Sequence, residues 1–427
     1  MTSIPTRARL ARTALVAAAA LTLAGGSAAA AVAGQTAHST SHASTSLASA
    51  DYHRACAFTS KAGVMSCMAL IKNDIRQESA AALGNKAPTG DGYGPSSLIS
   101  AYKLPKATKV LSVAVVDAYN DPDAVSNVAT YRSAWGLPKC NKSTEAGCLT
   151  VTNQLGKASP LPVNSGTTGW ATEESLDVDM VSAICDTCHV YLVEAKSPDT
   201  VNLGTAVNSA VKVLKAKFVS NSYGGSQSTK DPTFDTKYYQ HAGDVIAASA
   251  GDGGYGVSYP AASQYVVAVG GTTLTKAAST SRGWTETVWG SSAGGEGTGS
   301  GCAEANEHKP SWQTHTGCNN RIDNDVSSDA NPNTGVAIYD TYDQGGWLEV
   351  GGTSVSSPTV TSIYALADSL KAGTYPASYP YAHTSDLYDV TSGANGTCSP
   401  AFLCHAEVGY DGPTGLGTPD GVTAFKS

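Results

Sequence analysis

Toward its C-terminal end the chain reads GGWLEVGGTSVSSPTVTSIYALADSL, a glycine-rich turn that delivers Ser354 to the start of a helix. Val360, Ile363, Ala365, Leu366 and Leu370 form the apolar positions of that helix. A helix N-terminus presents backbone N–H groups that stabilise developing negative charge, so a serine there is placed for nucleophilic attack. The same tripeptide also reads as an ordinary capped helix start. Pro358 is expected early in the helix, where its missing N–H is not needed. A nucleophilic serine requires a base, usually histidine, yet the nine histidines are scattered singly and none has a catalytic setting. A different base is offered by TEESLDVDMVSAIC, where Glu173 and Asp177 stand at i and i+4. That spacing stacks two carboxyls on one helical face, close enough to share a proton. Glu174 and Asp179 are expected to be solvated charges of the same helix, with Leu176, Met180, Ala183 and Ile184 marking its buried side. A third group, Asp252 in AASAGDGGYG, follows an apolar strand among glycines. It has three readings: a turn residue, a metal ligand, or an oxyanion donor if it keeps its proton.

These residues need a scaffold, and the apolar runs supply one. KVLSVAVVDAY (109–119), HVYLVEA (189–195), KFVSNSYGG (217–225), DVIAASAGDGG (244–254) and QYVVAVGGTTL (264–274) have strand length. Between them, NLGTAVNSAVKVLKA puts Leu203, Ala206, Val207, Ala210, Val213 and Leu214 on one helical face. Continuous apolar strands alternating with helices predict an α/β fold, a parallel sheet with helices on both faces. In such sheets ligands bind beyond the carboxyl ends of the strands, where Asp117 and Asp252 fall.

Composition narrows the function. Only 15% of residues are charged and the net charge is −8, which argues against nucleic acid or anionic lipid as partner. Sparse charge also limits the self-repulsion that builds up as carboxylates protonate, which suits an acidic medium. Residues 1–34, with Arg7, Arg9 and Arg12 before an alanine-rich apolar run and a small-residue end, read as a secretory signal peptide. Residues 35–90 read as a short N-terminal segment, a pro-piece or a brace, and 91–427 as the main domain. The ten cysteines form sequence-local couples, 56/67, 140/148, 185/188, 302/318 and 398/404, which in an exported chain read as disulfides.

Taken together, VVDAYNDP, EESLD, SNSYGG, AGDGG, YPAASQYVVAVGGTTL, PNTGVAIYD and GGTSVSSP, in this order and spacing, resemble the sedolisin family of serine-carboxyl peptidases. The resemblance implies a subtilisin-like fold in which glutamate replaces the histidine. It assigns Ser354 as nucleophile, Glu173 as general base, Asp177 as its partner and Asp252 as oxyanion donor. DLYDVTSGANG followed by AEVGYDGPTGLGTPDG resembles the family's calcium loop, with Asp389 and Asp411 supplying carboxylates and Val390, Glu407 and Gly409 backbone oxygens for Ca2+. Hard oxygen ligands suit that ion. Three features depart from the family pattern: Gly351 stands where a serine is usual, Glu407 where a glycine is common, and the N-terminal segment is far shorter than the usual prodomain.

The expectation is a secreted, monomeric acid peptidase, endo- or tripeptidyl-, acting on protein or peptide substrates, without membrane attachment once the signal is removed. Two alternatives stand beside it: a neutral subtilisin-type peptidase using Asp117 and a histidine, and an inactive binding protein that keeps the fold.

Overall fold

A computed structural model describes residues 51–73, 86–304 and 306–427; the expected signal peptide lies outside the described residues. The chain enters through three short strands, β1 (Tyr52–Arg54), β2 (Ser66–Cys67) and β3 (Leu70–Lys72), then α1 (Pro95–Ala101). The first half of the body runs β4 (Ser112–Ala118), α2 (Ala124–Ala134), β5 (Leu149–Asn153), α3 (Trp170–Ile184), β6 (His189–Ala195) and α4 (Thr200–Lys212). It continues through β7 (Phe218–Asn221), β8 (Tyr223–Gly224), the short α5 (Asp231–Phe234), β9 (Val245–Ser249), β10 (Gly253–Tyr255), β11 (Val267–Lys276) and β12 (Trp284–Val288). The last stretch holds β13 (Gly297–Cys302), β14 (Ile322–Asp323), β15 (Val326–Asp329), β16 (Val336–Asp340), β17 (Gly346–Gly351) and α6 (Thr353–Ala367).

The central sheet has the order β12-β11-β9-β7-β4-β6-β5, with β15 also on β11. All its pairings are parallel except β11 with β12. The expected α/β architecture is therefore present, and the five apolar runs are β4, β6, β7, β9 and β11. Alternation along β4 shows why continuous apolar strands were needed. Val113 and Val115 pack with α3 and α6 in one core, while Ala114 and Val116 pack with α4 in a second core on the opposite face. α4 is shorter than its pattern suggested. It stops at Lys212, so Leu203, Ala206, Val207 and Ala210 are buried while Val213, the residue after its last turn, is exposed.

A four-stranded sheet, β1-β3-β17-β16, covers one edge of the site, and β10-β13-β14 form another small sheet. The segment before residue 73 is thus woven into the body: β3 pairs with β1 on one side and β17 on the other. All five cysteine couples are disulfides as expected: Cys56–Cys67, Cys140–Cys148, Cys185–Cys188, Cys302–Cys318 and Cys398–Cys404. Among the described residues no helix is long and apolar enough to cross a membrane.

Candidate active site

Ser354 is the second residue of α6 and fully buried. β17 runs into it through Gly352, whose φ of +94° lies in the left-handed region. A side chain at Gly352 is also excluded by space, since a Cβ would lie 1.8 Å from the Met68 carbonyl oxygen and 2.9 Å from Asp252 Oδ2. The Ser354 hydroxyl donates to the Ser222 carbonyl at 3.3 Å and also lies close enough to the Glu173 carboxyl to stabilise its charge. Pro358 is not in the first turn, as expected, but is the sixth residue of α6. Its missing N–H leaves the Ser354 carbonyl without its usual partner four residues on, and the Ser222 hydroxyl lies 3.5 Å from that oxygen.

Glu173 and Asp177 both lie on α3, as the i, i+4 spacing required, and both are fully buried. The Ser222 hydroxyl donates to Asp177 Oδ1 at 2.7 Å. Asp177 Oδ2 and both Glu173 oxygens lack a well-formed hydrogen bond, an uncommon state for buried polar atoms. Burial first, then the Asp117 charge, push both carboxyls well above the usual range, with Asp252 adding to the rise of Glu173 and Glu173 to that of Asp177.

Asp117, the penultimate residue of β4, is a third buried carboxyl with two unpartnered oxygens, raised by burial to about 8. The described histidines make their contacts elsewhere: His53 with Asn73, His189 with Glu145, His241 with Tyr238, His315 with Phe402 and Tyr410.

Asp252 stands between β9 and β10, buried, with its two oxygens in contrasting states. Oδ1 accepts from the Thr353 N–H and the Thr353 hydroxyl, both at 2.8 Å; Oδ2 has no partner. Burial raises its pKa to about 6 against the opposing pull of Arg54 and the two Thr353 donors. A carboxyl fixed at one oxygen and vacant at the other is placed to donate a hydrogen bond when protonated.

Glu174 and Asp179 are corrected by the structure: they are not solvated. Every residue of α3 is buried, because α2, α6 and β16 enclose the faces that the sheet leaves open. Glu174 Oε2 accepts from the Asp121 N–H at 2.8 Å and Asp179 Oδ2 from the Tyr339 N–H at 3.0 Å. Burial pushes both carboxyls far up.

Several residues with direct roles in this geometry went unpicked in the sequence. Ser222 lies within SNSYGG and Thr353 within GGTS, so the motifs were visible although their hydrogen bonds were not. The chain around Met68 carried no signal at all. Its N–H donates to the Ser222 carbonyl at 3.2 Å, beside the serine.

The proposed metal residues lie together in the C-terminal loops. Asp411 Oδ1 accepts from the N–H and hydroxyl of Thr414, and Oδ2 from the Glu407 N–H. Asp389 Oδ2 accepts from the Gly409 N–H at 2.9 Å. Asp411 is buried and pushed up to about 7 by burial and, in part, by the Asp389 charge. The Asp389 charge reaches Asp411, and carboxylate oxygens of this kind are the ligands a hard metal ion takes. Among the described residues no cluster of three His, Cys, Asp or Glu side chains forms a metal site, so carbonyls would have to complete the shell.

The model of the subtilase family matches residues 164–386, a span containing Glu173, Asp177, Asp252 and Ser354. Sedolisin of Pseudomonas sp. (strain 101) is 28% identical over 382 residues, covering 80% of this chain and 62% of sedolisin. Kumamolisin of Bacillus sp. (strain MN-32) is 29% identical over 376 residues, covering 80% of this chain and 64% of kumamolisin. The chain thus spans less than two thirds of the length of these curated relatives. The solved structure of Pseudomonas sedolisin, a serine-carboxyl proteinase complexed with two molecules of pseudo-iodotyrostatin, superposes with a TM-score of 0.64 at 26% identity, over 78% of this chain and 96% of that one. With its residues 164–386 matched, more than half of its length, the chain belongs to the subtilase family.

Proposed function

We propose that the protein is a secreted serine-carboxyl peptidase that hydrolyses peptide bonds at acidic pH. The observation that carries this reading is the convergence on one serine of a buried carboxyl pair and a half-free aspartate, with no histidine contact at Ser354 among the described residues. Ser354 Oγ attacks the substrate carbonyl, and Glu173 accepts its proton and returns it to the leaving amine. Asp177, anchored by Ser222, holds Glu173 and shares the pair's proton. Asp252 Oδ2, protonated, donates to the tetrahedral oxyanion. Water then attacks the acyl-enzyme, Glu173 taking and returning a proton as before.

The acidic optimum follows from Asp252. Its donor role requires the neutral form, which prevails below about pH 6 and is lost above it. A neutral subtilisin-type mechanism has no support from the described histidines. An inactive binding protein would have no use for the unpaired buried oxygens of Glu173, Asp177 and Asp252, which cost stability.

Asp389 and Asp411, with backbone oxygens of Val390, Glu407 and Gly409, would hold Ca2+ and cross-link the C-terminal loops; the ion takes no part in the chemistry.

The test is hydrolysis of denatured haemoglobin between pH 3 and 8 by the wild type, Ser354→Ala, Glu173→Gln and Asp252→Ala. Activity peaking in acid is expected, abolished in the first two variants and reduced roughly 10²–10³-fold in the third. An optimum near pH 8, or full activity in any variant, would refute the assignment concerned.

A further inference from the structure

Behind the candidate site, three segments far apart in sequence meet on one carboxylate. Asp235 begins the helical turn Asp235–Tyr239 that follows α5, Tyr259 lies between β10 and β11, and Glu307 lies in the loop from β13 to β14, which the Cys302–Cys318 disulfide closes. All three side chains are buried. The Tyr259 hydroxyl donates to Asp235 Oδ1 at 2.9 Å, and the side chains of Ser263 and Glu307 hydrogen-bond to the same carboxylate. Two carboxyls can hydrogen-bond only when one of them carries a proton. Asp235 accepts from each of these partners, which leaves Glu307 as the proton donor. The other Glu307 oxygen, Oε1, has no partner.

The charges that face the pair do not replace that proton. Asp231 of α5 adds negative charge to both carboxyls and is itself approached by Glu304. Arg321, the cation that reaches Glu307, is committed to Asp325 through two contacts of 2.7 and 2.6 Å. Tyr239 and Tyr265 also face the pair, with hydroxyls that burial keeps neutral. Burial above all, then the Asp235 charge, pushes the Glu307 carboxyl up, so its proton is held in acid and lost as pH rises through that raised value. Its departure leaves two buried carboxylates side by side.

Tyr259 carries this contact to the catalytic groups. Its backbone exchanges both hydrogen bonds with Gly225, at 3.0 and 2.9 Å, directly after β8. The neighbouring Ser258 stands between Gly224 and Gly251, its Oγ 3.0 Å from where a Cβ on either glycine would lie. Gly224 is two residues past Ser222, which receives the Ser354 hydroxyl and anchors Asp177. Gly251 directly precedes Asp252.

We propose that Asp235 and Glu307 are positioning residues for the candidate active site, a clamp that seats Tyr259, and with it β8 and the Asp252 turn, for as long as the two carboxyls share one proton. This rests on the peptidase reading above and adds a second tie to acid, separate from the titration of Asp252: the wall behind the site is fastened at low pH and released at high pH.

The experiment uses the full chain. In a Ser354→Ala background, amide hydrogen exchange corrected for its intrinsic rate is compared at pH 5 and pH 9, with and without Glu307→Gln, whose amide can donate to Asp235 at any pH. Residues 223–231 and 256–263 should lose at least about tenfold more protection at pH 9 than β4 and β9 do, and Glu307→Gln should abolish that excess. With Ser354 intact at pH 4, Glu307→Ala should slow digestion of saturating denatured haemoglobin about tenfold, and Glu307→Gln should restore it to within about twofold of wild type. An even loss of protection across the sheet, an excess that survives Glu307→Gln, or a glutamine variant as slow as the alanine one overturns the clamp. A Glu307→Ala variant as fast as an active wild type also overturns it and leaves the peptidase reading standing; a wild type that digests nothing overturns both.

Discussion

Thr353 sets the charge of its neighbour. Its N–H and hydroxyl both donate to Asp252 Oδ1, and both favour the ionised carboxylate. Thr353→Val removes the hydroxyl at nearly constant shape, and a hydrogen bond to a charged group is worth about 1.5–3 kcal/mol. The Asp252 pKa should therefore rise from about 6, carrying the alkaline limb of the kcat/KM profile upward by about one pH unit or more. A limb that does not move in a pH–rate series would remove Asp252 from the oxyanion role. Ser222 acts in the same way on the other carboxyl. Ser222→Ala takes away the donor on Asp177 Oδ1, so kcat should fall about tenfold with KM little changed, since Asp177 acts through Glu173 and touches no substrate. Steady-state kinetics separate the two constants.

α3 brings carboxylates into an interior that would ordinarily reject them. Glu174 and Asp179 join Asp117 at about 8, Asp121 at about 7 and Glu194 at about 9, all raised chiefly by burial. Each folded pKa exceeds its unfolded value near 4, so the neutral form is favoured by folding. The stability these groups contribute is full below about pH 4 and is lost as pH rises through 7 to 9. Urea midpoints should accordingly fall from pH 4 to pH 8, and Glu194→Gln should flatten that fall; a midpoint that rises with pH would contradict it. This helix also shows what a sequence can and cannot disclose. The i, i+4 spacing of Glu173 and Asp177 was legible because helical period is local. The burial of Glu174 and Asp179 was not, because periodicity identifies an apolar face but not the later elements, α6 and β16, that close over the polar one. Ser354 was legible for the same local reason, a glycine turn feeding an apolar helix. The path of residues 63–69 was not, since its partners lie more than a hundred residues away, at Pro198 and Tyr223, and only the folded chain brings them together.

At the scale of the molecule, two apolar cores clamp one largely parallel sheet, and two helices, α3 and α6, with the turn between β9 and β10 carry the candidate site. The C-terminal loops are where a bound ion would register. If Asp389 and Asp411 hold Ca2+, saturating calcium should raise the melting temperature over that in chelator, by an amount equivalent to about 2.7 kcal/mol at a hundredfold excess over Kd. Asp411→Asn should abolish the difference in differential scanning calorimetry. The five disulfides contribute on a different pattern. Their sequence separations are 11, 8, 3, 16 and 6, so every one closes a small ring. Rings of up to about 15 residues restrain the unfolded chain by no more than about 3 kcal/mol each. None joins one strand of the central sheet to another, and none joins the sheet to α6. The covalent bonds of this protein hem its loops and leave its topology unsewn, so the pairing of its distant strands is held by non-covalent contacts alone.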